Sequence, residues 1–160
     1  SGHRNPESMH IFGDSIVAVE HGPQGGDEIN IIKKGANYGW PIVSLGSHYD
    51  SEYIAKDNNI QPTGLSLGPL ISFIPSIATS FVDDCPKIYS DYYKPYQCMM
   101  IGSLGDLSLF FVLADSDYSK VVAIERLEVG SRLREVLVQG NDVIIGTDYA
   151  GVVILRFEKG

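Results

Sequence analysis

The segment at residues 133–157, LREVLVQGNDVIIGTDYAGVVILRF, decides the fold class. It contains runs rich in β-branched and apolar residues at 133–138, 142–145 and 152–157, joined by links of three and six residues. Gly140 and Gly151 lie in these links and tolerate the positive φ of tight reversals. The pattern predicts successive strands of one antiparallel meander.

The same pattern extends through the rest of the chain. No segment has a convincing helix of three turns, 17 Gly and 8 Pro make the composition turn-rich, and residues 48–68 read as a long surface loop. We therefore predict an all-β fold. Repeated meanders favour propeller blades, although the periodicity alone does not separate a propeller from a sandwich. The other predicted strands are 9–12, 15–20, 28–33, 70–74, 98–103, 107–114 and 121–127, and the middle run of the meander is taken as a strand over 142–147.

The charge balance bears on possible ligands. A net charge of −8 argues against a nucleic-acid-binding surface, which needs clustered Lys and Arg. Excess carboxylates make divalent cations plausible ligands, with a solvated acidic surface as the alternative. No apolar run is long enough for a transmembrane helix.

Cys85 and Cys98 are too few for a disulfide framework and match no zinc-site spacing. We expect buried free thiols. A single disulfide between adjacent strands is the alternative in an oxidising compartment.

The window at residues 20–41 is the most informative for chemistry. It begins EHGPQGGDEIN and ends GANYGWP. Its glycines and proline fix an irregular backbone that can direct carbonyl oxygens into one space, and Asp27 and Glu28 add carboxylate oxygens. Such a loop suits calcium. By composition alone, a plain hairpin connection is the simpler interpretation.

The order of residues within this window closely resembles that of the soluble aldose and glucose/sorbosone dehydrogenases, which use pyrroloquinoline quinone (PQQ). GHRNP at residues 2–6 resembles the segment one strand earlier, and weaker similarities follow in FIPSIA at 73–78, IGSL at 101–104 and SRLREV at 131–136. The resemblance implies a six-bladed β-propeller, with about three blades present as a half-propeller fragment.

The resemblance also implies cofactor contacts. Arg4 and Asn5 match the Arg-Asn that contacts the quinone, and Arg132 and Arg134 match paired arginines placed over it. Ser76 stands where a cofactor-binding hydroxyl is expected. A guanidinium suits the carboxylates of PQQ. Without the resemblance, Arg4 would read as a loop-bracing residue and the other two arginines as a solvated face.

The implied calcium ligands are the carbonyls of Gly22 and Pro23 at the quinone, and Glu28 and Tyr38 at a structural site, with Asp27 a weaker candidate. Other polar and aromatic residues of this region have simpler interpretations. Trp40 is expected in the core, and His3 and His21 are expected to brace their loops.

Two departures limit what the resemblance implies. The family's pocket lysine is replaced here by Gly105 and Asp106, and the general-base histidine belongs to blades upstream of this sequence, so no catalytic residue is assigned. The expected function is part of a PQQ-dependent sugar dehydrogenase that oxidises an aldose at the anomeric carbon to a lactone. A non-catalytic propeller binding module is the alternative. Half a propeller would expose two apolar faces, so we expect a homodimer or association with the missing N-terminal half, in the periplasm or secreted.

Overall fold

The computed structural model describes residues 1–47, 49 and 66–158, and nearly all of its regular structure is β-strand. The chain divides into two compact units, residues 1–78 and 79–160. In chain order the elements are β1 (Pro6–Phe12), β2 (Ser15–Glu20), β3 (Asp27–Ile32), β4 (Ile71–Phe73), β5 (Thr79–Asp84), α1 (Lys87–Tyr92), β6 (Gln97–Ser103), β7 (Ser108–Ala114), β8 (Val121–Glu128), β9 (Leu133–Gln139), β10 (Asp142–Thr147) and β11 (Val152–Arg156).

The first unit is one antiparallel sheet in the order β1-β2-β3-β4. Phe12 pairs with Ser15, so a two-residue turn joins β1 to β2, and Gly13 takes a φ of 58° there. Val17, Val19 and Ile29 are fully buried, and Ala18 and Glu20 are buried as well, so both faces of β2 are covered. The register places the last residue of β2 opposite the start of β3, and the Gly-rich window connects the two strands there.

The second unit contains a sheet in the order β5-β6-β7-β8 and a sheet in the order β9-β10-β11. Their apolar faces form one core in which Met100, Leu109 and Phe111 meet Leu133, Val143 and Ile145. Every residue of β7 is buried, which explains its continuous apolar sequence.

The expectation of free thiols is wrong, because Cys85 and Cys98 form a disulfide with a Cα–Cα distance of 5.7 Å. Cys85 directly follows β5 and Cys98 is the second residue of β6. Because these strands are paired neighbours, the distance between the two backbones suits the bond. Short helix α1 lies in the loop that this disulfide closes. Its Tyr89 stacks on Phe111 at a centroid distance of 4.4 Å.

The all-β prediction is confirmed, and each of the ten predicted runs overlaps a strand. Strand β5 was missed because its register shifts between Thr79 and Val82, and such a bulge breaks the alternation that identifies a strand. Most of the predicted loop at 48–68 lies outside the described residues. Within the described ranges, no helix has the length and apolar character needed to cross a bilayer.

Candidate functional site

The Gly-rich window of the first unit borders a small pocket at the ends of β2 and β3. Its lining combines cationic, acidic and aromatic side chains with glycine backbone, and includes Arg4, Glu20, His21, Gly22, Gly26, Glu28, Tyr38 and Trp40. Four residues predicted from the sequence to bind cofactor or metal therefore lie around one pocket: Arg4, Gly22, Glu28 and Tyr38.

The loop at residues 22–26 packs its backbone tightly. A Cβ placed on Gly22 would lie 2.0 Å from the Gly25 carbonyl oxygen and 2.5 Å from that of Gly26. Gln24 and Ser47 exchange backbone hydrogen bonds of 3.1 Å, which fix the loop to the segment after Trp40. Only glycine at position 22 allows these carbonyl oxygens to converge.

Asp27 holds this loop closed. The side chain is fully buried, and Oδ1 accepts a hydrogen bond from the Gly22 amide at 3.0 Å. Oδ2 accepts from the Ser76 hydroxyl and from the Ala78 amide, both at 2.6 Å. Because both oxygens have protein donors, Asp27 joins the start of β3 to the segment after β4, and the Ser76 hydroxyl is already used in that bond.

Glu20 and Glu28 form a buried acidic pair, since the two residues occupy paired positions on β2 and β3. Burial raises the pKa of Glu28 to about 7, and the neighbouring Glu20 carboxylate adds to the rise, while a hydrogen bond from Asn30 opposes it. The Asn30 amide donates to Glu28 Oε2 at 3.0 Å, but its buried Oδ1 has no hydrogen-bond partner among the described residues. Two adjacent buried carboxylates repel each other, which favours a proton on one of them or a cation beside the pair.

His3 and Tyr38 frame the acidic pair. His3 Nδ1 lies 2.7 Å from Glu20 Oε2, and the His3 ring stacks on Tyr38 at a centroid distance of 4.3 Å. The Tyr38 hydroxyl donates to the Ile31 carbonyl and accepts from the Lys33 amide, each at 2.8 Å. His3 thus braces its loop as expected, and the Tyr38 hydroxyl is held by the backbone. Its role as a calcium ligand stays a prediction.

Arg4 is the cation of the pocket. Its Nη1 donates to the His21 carbonyl at 3.2 Å, and its Cζ lies 5.5 Å from the centre of the Trp40 ring. Trp40 is half-buried against this guanidinium, so its expected place in the core is wrong. The neighbouring Asn5 side chain donates to Glu7 Oε1 at 2.6 Å, and its cofactor contact stays a prediction.

In the second unit, Arg132 and Arg134 meet at one carboxylate. Arg134 binds Asp148 through two hydrogen bonds of 2.6 and 2.8 Å, and Arg132 Nε lies 3.2 Å from the same carboxylate without forming a hydrogen bond. The two guanidiniums hold the pKa of Asp148 below its usual value. Two cations on one anion leave a surplus positive charge, which suits an anionic ligand.

The structure also describes the segment in which the family's pocket lysine would be expected. The Asp106 amide donates to the Ser103 hydroxyl at 2.8 Å, and the Asp106 carboxylate pairs with Arg126 Nε at 2.6 Å. The segment is therefore a closed turn whose aspartate pairs with Arg126 of β8, and neither Gly105 nor Asp106 supplies a cation.

Sequence reasoning missed Glu20 and Asn30. Glu28 and Asn30 are two residues apart on β3 and therefore share a face. Glu20 joins that face only through the β2–β3 register, which depends on how the intervening Gly-rich loop folds. The two-residue spacing in Asp27-Glu28-Ile29-Asn30 was the available signal.

Comparisons with known proteins agree with this architecture. The chain is 33% identical over 141 residues to the aldose sugar dehydrogenase YliI of Escherichia coli, covering 84% of this chain and 36% of that protein. It is 47% identical over 53 residues to quinoprotein glucose dehydrogenase B of Acinetobacter calcoaceticus, 32% of this chain and 11% of that protein. A crystal structure of glucose dehydrogenase superimposes with a TM-score of 0.79 at 31% identity, covering 99% of this chain and 46% of that one.

The chain therefore spans less than half the length of these relatives. The Glucose / Sorbosone dehydrogenase family model matches residues 1–155, nearly the whole sequence. The three antiparallel sheets described above correspond to about three blades of the β-propeller that these dehydrogenases share. The chain belongs to the glucose/sorbosone dehydrogenase family.

Proposed function

We propose that this chain is the cofactor-binding part of a PQQ-dependent sugar dehydrogenase that oxidises an aldose at the anomeric carbon to a lactone. The observation that carries the proposal is the pocket itself, around which Arg4, Gly22, Glu28 and Tyr38 lie together. Relatives named as an aldose sugar dehydrogenase and a quinoprotein glucose dehydrogenase support the substrate class and the cofactor.

Calcium fits the acidic pair of the first unit. Glu28 has a raised pKa beside Glu20, and Asn30 Oδ1 is a buried oxygen without a donor among the described residues. Carboxylate and amide oxygens are the ligands that a hard cation such as calcium would take here. The carbonyl oxygens of Gly25 and Gly26 crowd against Gly22, and this tightly folded backbone supports a carbonyl-ligated position that includes Gly22 and Pro23. At the proposed structural calcium site, Glu28 would be the anionic ligand and Tyr38 would lie beside it.

The arginines fit the anionic groups of PQQ. Arg4 lines the pocket, and Arg132 and Arg134 share one counter-ion in the second unit. When bound, PQQ supplies the two-electron acceptor for sugar oxidation. Asn5 and Ser76 each already donate a hydrogen bond to a carboxylate, so any contact of theirs with the cofactor would require these bonds to be shared or rearranged.

The alternative is a non-catalytic propeller binding module. The closed turn at Ser103–Asp106 favours it, because the place of the family's lysine holds an aspartate paired with Arg126. On this alternative the pocket would bind calcium without PQQ.

We also propose that the chain associates through apolar sheet faces, as a homodimer or with a missing N-terminal half. Met9 and Ile11 on β1, and Leu137 and Ile154 in the third sheet, are large apolar side chains that are mostly exposed. Contiguous apolar surface of this kind marks contact sites. The Cys85–Cys98 disulfide supports a periplasmic or secreted location.

A titration of PQQ in the presence of calcium tests the function, both on this chain and on the longest product of its gene. We expect the quinone absorbance to shift with saturable binding. Arg4→Gln should weaken binding by ~10-fold or more, because a charged hydrogen bond is lost. Arg156→Gln is the control, since Arg156 is an exposed arginine of β11 whose guanidinium donates two hydrogen bonds to Asp142. Calcium-dependent stabilisation without any quinone shift in either protein would instead support the binding module.

A further inference from the structure

The turn between β10 and β11, in the third sheet formed by β9–β11, carries an aromatic side chain. Tyr149 lies in this turn and is 82% exposed. The two-residue turns at 13–14 and 140–141 are instead Gly-Asp and Gly-Asn, the small and polar residues that tight reversals favour. Turn chemistry therefore does not account for a tyrosine at position 149.

Hydrogen bonds fix the backbone on which this ring stands. The Asp148 amide donates to the Arg132 carbonyl at 3.1 Å. The Tyr149 amide donates to the Ser131 hydroxyl at 3.3 Å, and Ser131 is only 2% exposed, so this anchor lies inside the protein. Because the main chain is held, a ligand that meets the ring has only two side-chain torsions to order.

The turn lies at the end of the third sheet that carries the two arginines. Arg132 directly precedes β9, Arg134 is the second residue of β9, and both contact the Asp148 carboxylate. Thr147, the last residue of β10, pairs with Leu133 at this same end, whereas the turn at 140–141 lies at the opposite end. Tyr149 is therefore next to the residue that joins the two cations.

Arg132 keeps a hydrogen-bond donor for a ligand. Its Nε is buried and has no hydrogen-bond partner among the described residues, although Asp148 Oδ2 lies 3.2 Å away. An unpaired guanidinium donor beside a surplus positive charge favours an anionic group at this end of the sheet. The structure thus combines a charged position with an apolar ring on its solvent side.

We propose that Tyr149 is a specificity-determining residue whose ring stacks on the second sugar unit of a disaccharide substrate. The inference rests on the proposed function, because the sugar ring that is oxidised must lie at a cofactor held by Arg132 and Arg134. When a disaccharide is linked through its C4 hydroxyl, the linkage and the anomeric carbon lie on opposite sides of the first ring. The second ring therefore extends away from the cofactor, toward solvent, where the exposed tyrosine offers its apolar face to sugar C–H groups.

Tyr92 of α1 provides a matched control. It is 80% exposed and belongs to the same unit of the chain, and its ring packs edge-on against Tyr93 at a centroid distance of 4.9 Å. The Ile88 amide of α1 lies 3.4 Å from Asn141 Oδ1, so the helix is at the opposite end of the third sheet from Tyr149. A general effect of removing an exposed tyrosine would appear in both variants.

Steady-state oxidation of cellobiose and of glucose tests the proposal, with the longest product of the gene loaded with PQQ and calcium. Tyr149→Ala should lower kcat/KM for cellobiose by about 5- to 10-fold, mainly through KM, and should change that for glucose by less than about 2-fold. Tyr149→Phe should keep the preference, because stacking needs only the ring, and Tyr92→Ala should leave both sugars unaffected. An equal loss for both sugars would assign the ring to the cofactor or to folding and would overturn the proposal, as would no loss for either.

Fluorine NMR of the same protein, labelled with fluorotyrosine, gives a readout that does not depend on turnover. The resonance missing from Tyr149→Phe belongs to Tyr149, and cellobiose should shift it saturably and further than glucose does. A resonance that cellobiose does not move would overturn the proposal even in a protein that oxidises both sugars. If the loaded protein oxidises no aldose, the proposed function fails, and the fluorine shift still decides whether Tyr149 contacts the disaccharide.

Discussion

Asp27 and Glu28 are adjacent in sequence but have different roles. Alternation along β3 sends the two side chains to opposite faces. Asp27 receives hydrogen bonds from Gly22, Ser76 and Ala78, whereas Glu28 lies beside another carboxylate, with Asn30 as a donor. The first arrangement stabilises a loop, and the second creates a demand for a proton or a cation.

Asp27→Asn should lower the free energy of unfolding by about 2–4 kcal/mol. The asparagine NH2 group would face N–H or O–H donors that now bind a carboxylate oxygen, and the remaining hydrogen bonds would lose their charged acceptor. Urea unfolding followed by circular dichroism measures the change. Asp14→Asn is the matched control, since Asp14 is exposed in the β1–β2 turn, and it should change stability by less than about 0.5 kcal/mol. A variant at position 27 as stable as the parent chain would show that the three bonds do not stabilise the loop.

Glu28 should give the protein a pH-dependent stability in chelator. Its pKa is raised from 4.5 to about 7, so the folded state retains a proton that the unfolded state has released. The contribution of Glu28 to the free energy of unfolding is therefore fully present below about pH 4.5. It is lost as the pH rises through about 7. Glu28→Gln should flatten this fall in the urea midpoint, and the exposed Glu158→Gln should not.

Calcium should reverse the trend, because a metal ligand must be ionised. The rise in Tm caused by millimolar calcium should be larger at pH 8 than at pH 6, and Glu28→Gln should abolish most of it. If calcium raised the Tm of the parent chain and of Glu28→Gln equally, the ion would bind at a site that does not include Glu28.

At the scale of elements, the segment from β5 to β6 depends on a covalent bond as well as on packing. Helix α1 has only six residues, too few for stability in isolation. It is held by the Cys85–Cys98 disulfide, by the stacking of Tyr89 on Phe111 and by the hydroxyls of Tyr89 and Tyr93, which both donate to Glu125.

Replacing both cysteines with alanine should lower the free energy of unfolding by about 3 kcal/mol, since the bond closes a loop of moderate length in the unfolded chain. Reductant should lower the Tm of the parent chain toward that of the double variant and leave the variant unchanged. Two reactive thiols per chain after denaturation without reductant would contradict the disulfide.

At the scale of the whole molecule, the exposed apolar residues of β1 and of the third sheet predict self-association of this chain. Light scattering at micromolar concentration should give a mass near twice 17.5 kDa, with an interface above about 1,000 Å². Ile11→Lys should shift the mass toward the monomer, and Lys34→Ala, an exposed change in a turn, should not. A soluble monomer of the parent chain at these concentrations would show that the faces need no partner.

The sequence by itself determined the all-β class and most strand positions, because alternation of apolar residues and short glycine turns act locally. The family followed from the order of its motifs. Through the order of motifs it also named Arg4, Gly22, Glu28 and Tyr38 as candidate cofactor and metal ligands, and the tertiary structure places these four around one pocket. Local patterns failed where the backbone is irregular or the element is short, as in bulged β5 and in α1.

Only the tertiary structure decided which partner each polar group meets. The β2–β3 register pairs Glu20 with Glu28, and the fold brings Ser76 to Asp27 across 49 positions of sequence. The bond between Cys85 and Cys98 likewise follows from the pairing of β5 with β6. Contacts between distant positions depend on strand register and loop closure, and no local pattern of residues encodes either one.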